Sequence, residues 1–161
     1  MDIRPVRAED HDALWAMIGP VIRAGDTYAL DRDMSRDDAL AYWTGPEKRT
    51  FIACDEDGPV GTFYLRANQA GGGRGVCNCG YVTAAGATGR GVARAMCRYS
   101  LDLAREAGFR AMQFNFVIST NVRAVRLWTG MGFETVGRLP GAFDHPALGP
   151  VDALVMYRVL F

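Results

Sequence analysis

The chain lacks an apolar run of the length that a membrane-spanning helix needs, about 18 residues or more, and its N terminus does not resemble a signal peptide. It also lacks an excess of charge, because 18 basic residues balance 18 acidic ones, so no overall field favours nucleic acid or an anionic membrane. We therefore expect a cytoplasmic protein without either partner. With 161 residues and 49% hydrophobic content, the chain is expected to form a single domain over residues 1–161.

Side chains that bind metals are scarce and scattered. The two histidines, His11 and His145, lie far along the chain from the close cysteine pair Cys77 and Cys79. Two residues apart on a strand, these cysteines share one face, and without a second close pair they indicate buried apolar side chains rather than a zinc site. We expect no bound metal. Lysine is nearly absent too, since 17 of the 18 basic residues are Arg and Lys48 is the only Lys.

Apolar periodicity predicts strands and helices mixed within one domain. Strands are predicted over residues 3–6, 50–54, 60–67, 76–83, 111–118, 133–139 and 153–160. Helices are predicted over residues 8–24, after a cap at Ser35, from Val92 onward and over residues 121–130. Residues 140–151 are predicted to form a loop. This order favours an α/β or α+β sheet with helices on its faces.

Two glycines, Gly89 and Gly91, lie between a predicted strand and a predicted amphipathic helix. A helix that begins at glycines presents unpaired N–H groups and a positive dipole end, and a pyrophosphate can approach because no Cβ intervenes. A plain turn explains the glycines equally well. The P-loop is excluded because Val92 follows Gly91 where that motif needs Lys, and the dinucleotide fingerprint is excluded because Arg94 stands where a third glycine is required.

A second pattern begins about thirty residues later and reads Asn-x-x-Ala-x-x-Leu-aromatic-x-x-x-Gly-Phe. It consists of Asn121, Ala124, Leu127, Trp128, Gly132 and Phe133. Each of these residues also suits a cap or a core position.

Together the two patterns resemble the signatures of the GNAT superfamily of acyl-CoA-dependent N-acyltransferases. That family's first signature is Gln or Arg, two residues, Gly, one residue, then Gly or Ala; Thr88, Gly91 and Ala93 take these places, Thr88 replacing a longer polar residue. The resemblance implies a mixed, mostly antiparallel central sheet of about seven strands flanked by about four helices. It also implies acetyl-CoA as the acyl donor.

By this resemblance, the acetyl-CoA pyrophosphate binds the N–H groups of residues 89–94, the pantetheine arm runs along residues 81–83, and Asn121 bonds that arm. The residues so assigned to acetyl-CoA are Tyr81, Val82, Thr83, Thr88, Gly89, Arg90, Gly91, Val92, Ala93, Arg94, Asn121 and Arg126. Further arginines, Arg98 and Arg123, are candidates for the adenosine phosphates, although an ordinary solvated helix face explains these arginines as well.

Trp128 stands where many family members have a Tyr that protonates the departing thiolate. An indole N–H donates a hydrogen bond but cannot supply a proton at neutral pH. We therefore assign Trp128 to packing and substrate contact, and expect coenzyme A to leave as a thiolate or to take a proton from water.

Two asparagines in predicted strands, Asn78 and Asn115, are candidates for the acceptor site, because a buried amide is satisfied either by backbone or by a ligand. Their spacing is similar to that in a yeast acetyltransferase that acts on azetidine-2-carboxylate and related proline analogues, in which the matching positions contact the acceptor. That enzyme has aromatic residues at the places of Tyr81 and Trp128, which implies that both contact the acceptor here. By the same resemblance, the N–H of Val82 or Thr83 stabilises the oxyanion.

No Glu in these strands is available as a base, so we expect water to carry the amine proton outward, toward Asp26 or Tyr28. The favoured function is acetylation of a small-molecule amine, an amino or imino acid or a toxic analogue being the candidate class, by direct attack in a ternary complex. A protein or peptide N-acetyltransferase and a non-catalytic acyl-CoA-binding module are the alternatives. A homodimer through the final strand and residues 141–143 is a further candidate.

Overall fold

The computed structural model describes residues 1–161 and contains one seven-stranded sheet with four helices. The strands are β1 (Asp2–Pro5), β2 (Arg49–Asp55), β3 (Gly58–Ala67), β4 (Val76–Thr83), β5 (Ala111–Ile118), β6 (Glu134–His145) and β7 (Gly149–Val159). The helices are α1 (His11–Ala24), α2 (Arg36–Trp43), α3 (Val92–Glu106) and α4 (Val122–Gly130). The sheet order is β1-β2-β3-β4-β5-β7-β6, and every neighbouring pair except β4–β5 is antiparallel. The predicted fold class is confirmed.

The sheet separates two apolar cores. Helices α1 and α2 cover one face, where Leu14, Ile18 and Trp43 pack against Ile52 and Tyr64. Helices α3 and α4 cover the other face, which holds the larger core. Both cysteines of the predicted pair, 77 and 79, are buried in that larger core, as the sequence indicated. No helix has the length and apolar character needed to cross a bilayer.

Strands β4 and β5 pair over only two positions and then diverge. Val76 pairs with Ala111 and Cys77 with Met112, and no further partners follow along either strand. Strand β5 also carries an irregularity between Phe114 and Val117, where its register with β7 shifts by one residue. Such a bulge bends a strand and increases its twist. The remaining halves of β4 and β5 therefore border a gap in the sheet.

The loop predicted over residues 140–151 is wrong, because most of that segment belongs to the β6–β7 hairpin. Pro140 and Gly141 are typical of turns, but they lie in β6, which is an edge strand whose register with β7 shifts between Leu139 and Phe143. Proline has no backbone N–H, and an edge strand tolerates its absence at such an irregularity. The turn itself is short, and His145 Nδ1 accepts the N–H groups of residues 147 and 148 at 3.1 and 3.2 Å.

The N-terminal strand is joined to α1 by one carboxylate. Asp10 accepts two hydrogen bonds from the Arg4 guanidinium, at 2.7 and 2.8 Å, and one from the Arg7 N–H at 2.7 Å. The side-chain hydrogen bond from Arg4, opposed by desolvation and assisted by the Arg7 N–H, lowers the pKa of Asp10 from 3.8 to about 2. The charged form of Asp10 therefore stabilises the folded state.

We expect Asp10→Asn to lower the free energy of unfolding at neutral pH by about 1–2 kcal/mol, since charged hydrogen bonds become neutral ones. Because the folded pKa is depressed, this stabilisation is present above the ordinary pKa of 3.8 and is lost as the pH falls toward about 2. Urea unfolding at several pH values should show the two proteins converging in acid. Asp33→Asn, the same change at an exposed position, is the control. A difference that does not shrink in acid would contradict the assignment.

Candidate functional site

The gap between β4 and β5 is the floor of a cleft of about 690 Å³. The loop after α1, residues 27–30, and Tyr42 of α2 border one end. The first turns of α3 and α4 border the other end. The cleft thus crosses the sheet, since residues from both of its faces line it.

The helix end that borders the cleft has free backbone donors. Gly89 and Gly91 have φ angles of +81° and +79°, a conformation that L side chains rarely adopt, and Gly91 is the residue before the helix. The first intrahelical bond is donated by Ala95 to the Gly91 carbonyl, at 3.0 Å, so the N–H groups of residues 92–94 have no helical acceptor. No side chain caps this end. These donors and the dipole favour an anion here.

Of the arginines near this helix end, Arg94 and Arg123 line the cleft. A Cβ built on Gly89 would lie 3.9 Å from Arg123 Nη2, so this guanidinium stands above the glycine turn. Arg90 instead pairs with Asp55 at 2.5 Å, on the β2–β3 hairpin. Arg126 is exposed and does not line the cleft. Arg94 and Arg123 are therefore the arginines that stand where they could meet an anion at this helix end.

The β4 edge offers alternating backbone groups to the cleft. The Ala84 N–H bonds to Val60 in β3 at 2.8 Å, and the unbroken β3–β4 register pairs Thr62 with Val82. The Val82 N–H therefore points to β3, and the expectation that it stabilises an oxyanion is corrected. By the same alternation, the N–H groups of Tyr81 and Thr83 point to the cleft. Tyr28 donates its hydroxyl to the Tyr81 carbonyl at 2.9 Å.

Aromatic rings form the wall of the cleft on the α4 side. Trp128 lies 5.0 Å from the Tyr81 ring and 4.9 Å from the Phe114 ring, measured between centroids. The Trp128 N–H has no partner in the protein. Because no fully buried polar atom lacks a partner, this N–H is accessible to solvent, and Trp128 lines the cleft. The Tyr81 hydroxyl lies 2.7 Å from Ser100 Oγ, and burial raises its pKa well above the usual value. That phenol faces the core and cannot serve as an acid.

Asn121 has two roles open to it. Its Oδ1 accepts the Ala124 N–H at 3.3 Å and thereby caps α4. Its Nδ2 has no partner in the protein, and Asn121 lines the cleft. The side chain can therefore cap the helix and still donate a hydrogen bond to a bound molecule.

A network of polar side chains lies where β4 and β5 begin to diverge. Asn78, which is 6% exposed, donates from Nδ2 to the Gln113 carbonyl at 2.9 Å and accepts from Arg66 Nε at 3.3 Å. Asn115 accepts from Gln113 Nε2 at 2.9 Å and donates to Asn68 Oδ1 at 2.7 Å. Asn78 thus bridges the diverging strands, whereas Asn115 lies within the β5 bulge.

Arg66 was not among the residues predicted from the sequence. The signal that could have identified it is its strand: period-two alternation along residues 60–67 places Thr62, Tyr64 and Arg66 on one face. A cation on a face that is otherwise buried needs a partner. Arg66 stands directly opposite Asn78 in the β3–β4 register.

The charges that line the cleft are all positive. They belong to Arg66, Arg94 and Arg123, and no Asp, Glu, His or Lys lines it. Asp26, expected as a proton acceptor, is exposed and outside the cleft. Tyr28 lines it, but burial raises the pKa of its phenol, which therefore stays protonated. No side chain in the cleft is a base at neutral pH.

The chain matches the model of the acetyltransferase (GNAT) family over residues 15–133. It is 26% identical over 137 residues to the N-acetyltransferase aca1 of Schizosaccharomyces pombe. This match covers 75% of the present chain and 66%, just under two thirds, of aca1. A GCN5-related N-acetyltransferase from Kribbella flavida has a TM-score of 0.92 and 39% identity over 98% of this chain and 96% of its own. A phosphinothricin acetyltransferase from Sinorhizobium meliloti, solved with acetyl-CoA, has a TM-score of 0.86 and 18% identity, with coverages of 98% and 87%. The chain therefore belongs to the GNAT family of acetyltransferases, as its two sequence motifs indicated.

Proposed function

We propose that this protein transfers the acetyl group of acetyl-CoA to the amine of a small molecule, by direct attack while both are bound. The observation that carries the proposal is the composition of one cleft. Free helix N–H groups and two arginines lie at one end, an unpaired strand edge lies in the middle, and a polar network lies at the other end. A phosphorylated donor and a polar acceptor would each find suitable groups there.

In this proposal the pyrophosphate of acetyl-CoA lies on the N–H groups before and within the first turn of α3, with Arg94 and Arg123 beside it. The pantetheine arm follows the β4 edge, where it can replace the missing β5 partner, and Asn121 Nδ2 donates to it. Family membership supports acetyl-CoA as the donor. The Sinorhizobium meliloti acetyltransferase, which shares the fold, was solved with acetyl-CoA.

The proposed reaction is a single displacement at the thioester carbonyl. The amine lone pair forms the new C–N bond, the carbonyl oxygen becomes an oxyanion, and the nitrogen, now positively charged, loses a proton to water. Collapse of the oxyanion then breaks the C–S bond, so that coenzyme A leaves as a thiolate. The N–H groups of Tyr81 and Thr83 are the donors on the β4 edge that can stabilise the oxyanion. The Trp128 N–H can donate to the oxyanion or the sulfur but retains its proton. The thiolate, with an ordinary pKa of about 8.5, is protonated by water.

Only a neutral amine has the lone pair that this attack needs. Since the cleft contains no carboxylate or imidazole, the amine either arrives neutral or loses its proton to water. The surrounding arginines oppose a second cation, which favours the neutral amine further.

The loop after α1 and Tyr42 line the acceptor end of the cleft, and we favour a small acceptor over a peptide there. The phosphinothricin acetyltransferase that shares the fold is consistent with this preference. A protein or peptide acceptor, and acyl-CoA binding without turnover, remain the alternatives that the experiments below separate.

We expect Gly91→Ala to raise the Kd for acetyl-CoA about tenfold, since the new Cβ would occupy space in front of α3 and strain a left-handed residue by about 1 kcal/mol. Gly108→Ala is the matched control, because Gly108 has a φ of +87°, has nothing within 4 Å of its Cβ position, and lies just beyond the far end of α3. Both variants should lose similar stability, but only Gly91→Ala should bind acetyl-CoA weakly by calorimetry. Equal affinities in the two variants would remove the turn from the donor site.

We expect thiol release from acetyl-CoA with small amines, with kcat/KM rising about tenfold per pH unit below the pKa of the amine, because no enzyme base limits it. Measuring two acceptors of different pKa is decisive, since the inflection should move with the acceptor. A fixed inflection between about pH 6 and 8 would reveal an enzyme base instead. Release with peptides but not small amines would favour the protein acceptor, and binding without any release would favour the non-catalytic module.

We expect the two asparagines to respond differently to replacement by Ala. Asn78→Ala should lower the free energy of unfolding by about 1–3 kcal/mol, because it removes a buried amide that donates to the Gln113 carbonyl across the diverging strands. Asn115→Ala should change stability by less than about 1 kcal/mol, since its half-exposed partners can bind water, yet should lower kcat/KM for the acceptor. Urea unfolding and steady-state kinetics measure the two effects. An Asn115→Ala enzyme with wild-type kcat/KM would remove Asn115 from the acceptor site.

A further inference from the structure

The acceptor end of the cleft carries a positive charge that the donor does not explain. Arg94 and Arg123 lie at the α3 and α4 end, where the phosphates of acetyl-CoA account for them. Arg66 lies on β3, opposite Asn78, where the strands begin to diverge. No acidic side chain lines any part of the cleft. The charge of Arg66 therefore has no counter-ion among the residues that line the cleft.

The Arg66 guanidinium is held in place but only partly used. Its Nε donates to Asn78 Oδ1 at 3.3 Å, and Asn78 is itself tied to the Gln113 carbonyl. No carboxylate lies within 4.0 Å of Arg66, and its terminal nitrogens have no partner in the protein. Since no fully buried polar atom lacks a partner, these nitrogens are accessible to solvent, and Arg66 is one of the residues that line the cleft. A guanidinium fixed through Nε presents its two terminal N–H groups as a fork, which matches a carboxylate.

Neighbouring charges do not neutralise Arg66. Glu47 is paired with Lys48 at 3.5 Å and is mostly exposed. Lys48 is buried, with its ammonium 3.6 Å from the Tyr42 ring centroid and 4.8 Å from that of Tyr64. The three groups together leave one net positive charge at this end of the cleft, which favours an anionic ligand.

We propose that Arg66 binds the carboxylate of the acceptor, so that the acceptors are amino or imino acids. This inference rests on the proposed function and names its substrate class. Tyr81 lies three residue steps beyond Asn78 along β4, a distance of about 10 Å. The arginine side chain and a compact amino acid span that distance, which brings the amine to the thioester beside the Tyr81 and Thr83 edge. Asn78 is a positioning residue in this arrangement, because it acts through Arg66.

The test compares acceptor pairs that differ only in the carboxylate, azetidine-2-carboxylate with azetidine and proline with prolinamide, each corrected for its fraction of free amine. We expect the wild type to favour the carboxylated member at least tenfold in kcat/KM. Arg66→Gln should lower kcat/KM for the carboxylated member about 10- to 100-fold, mainly through KM, as expected for a lost charged hydrogen bond. It should leave the uncharged member within about twofold, and Arg66→Lys should recover part of the loss.

Arg49→Gln is the matched control, because Arg49 is an exposed arginine one strand away that does not line the cleft. It should leave every acceptor unchanged, and the KM for acetyl-CoA should stay the same in all variants. A wild type without preference within the pairs would overturn the role of Arg66 while leaving the acetyltransferase function intact. An equal loss for both members in Arg66→Gln would likewise overturn it, because that result indicates a structural role.

Calorimetry on the protein saturated with coenzyme A separates the two proposals if no acceptor is turned over. Binding of azetidine-2-carboxylate that is lost in Arg66→Gln but kept in Arg49→Gln would support the carboxylate site and contradict catalysis. Absence of such binding, together with absence of turnover, would overturn both.

Discussion

The early divergence of β4 and β5 is the constraint on which the rest of the site depends. Two strands that pair over only two positions leave unpaired backbone groups in the middle of a sheet, where an extended ligand can complete the ladder. Asn78 stabilises the point of divergence because it donates to a β5 carbonyl that β4 no longer reaches. The bulge in β5 bends this strand further away from β4, and Asn115 within the bulge is partly exposed. The cleft is thus a consequence of strand geometry rather than of a cavity in the packing.

The cleft is also electrostatically simple. Arginine occurs at both ends, acids are absent, and the phenols of Tyr28 and Tyr64 stay protonated because burial raises their pKa values. Such an environment suits an anionic acyl donor and an anionic acceptor whose attacking amine is neutral. In the proposed reaction, water would therefore take the amine proton and protonate the thiolate, since these side chains include no acid or base for either step.

The sequence motifs predicted the glycine turn before α3 and the cap of α4 because backbone geometry defines both features. Gly89, Gly91 and Asn121 lie where their patterns indicated, and glycine is the residue type that such a turn requires. The direction of a single N–H could not be predicted from composition, and Val82 faces β3 because register fixes the alternation. Arg126 and Arg123 are three residues apart on one helix, and only packing decides which faces the cleft.

The β6–β7 hairpin and Arg66 show two other limits of the sequence pattern. Proline and glycine at 140 and 141 are typical of a turn, yet a bulged edge strand accommodates them because its outer N–H groups need no partner. Arg66 interrupts an apolar strand. A ligand-binding role for it can be inferred only from its position opposite Asn78 and from the absence of Asp and Glu in the cleft lining, and both are properties of the assembled sheet.

The single lysine has a consequence for the chemistry of the protein surface. Acetyl-CoA acylates exposed primary amines slowly without any catalyst, and lysine side chains are the usual targets of that reaction. Lys48 is 8% exposed, and its ammonium is enclosed by Tyr42 and Tyr64. Every other basic side chain is a guanidinium, which stays charged and does not react. No lysine of this protein therefore competes with the acceptor for the acyl donor, and its side chains resist self-acetylation.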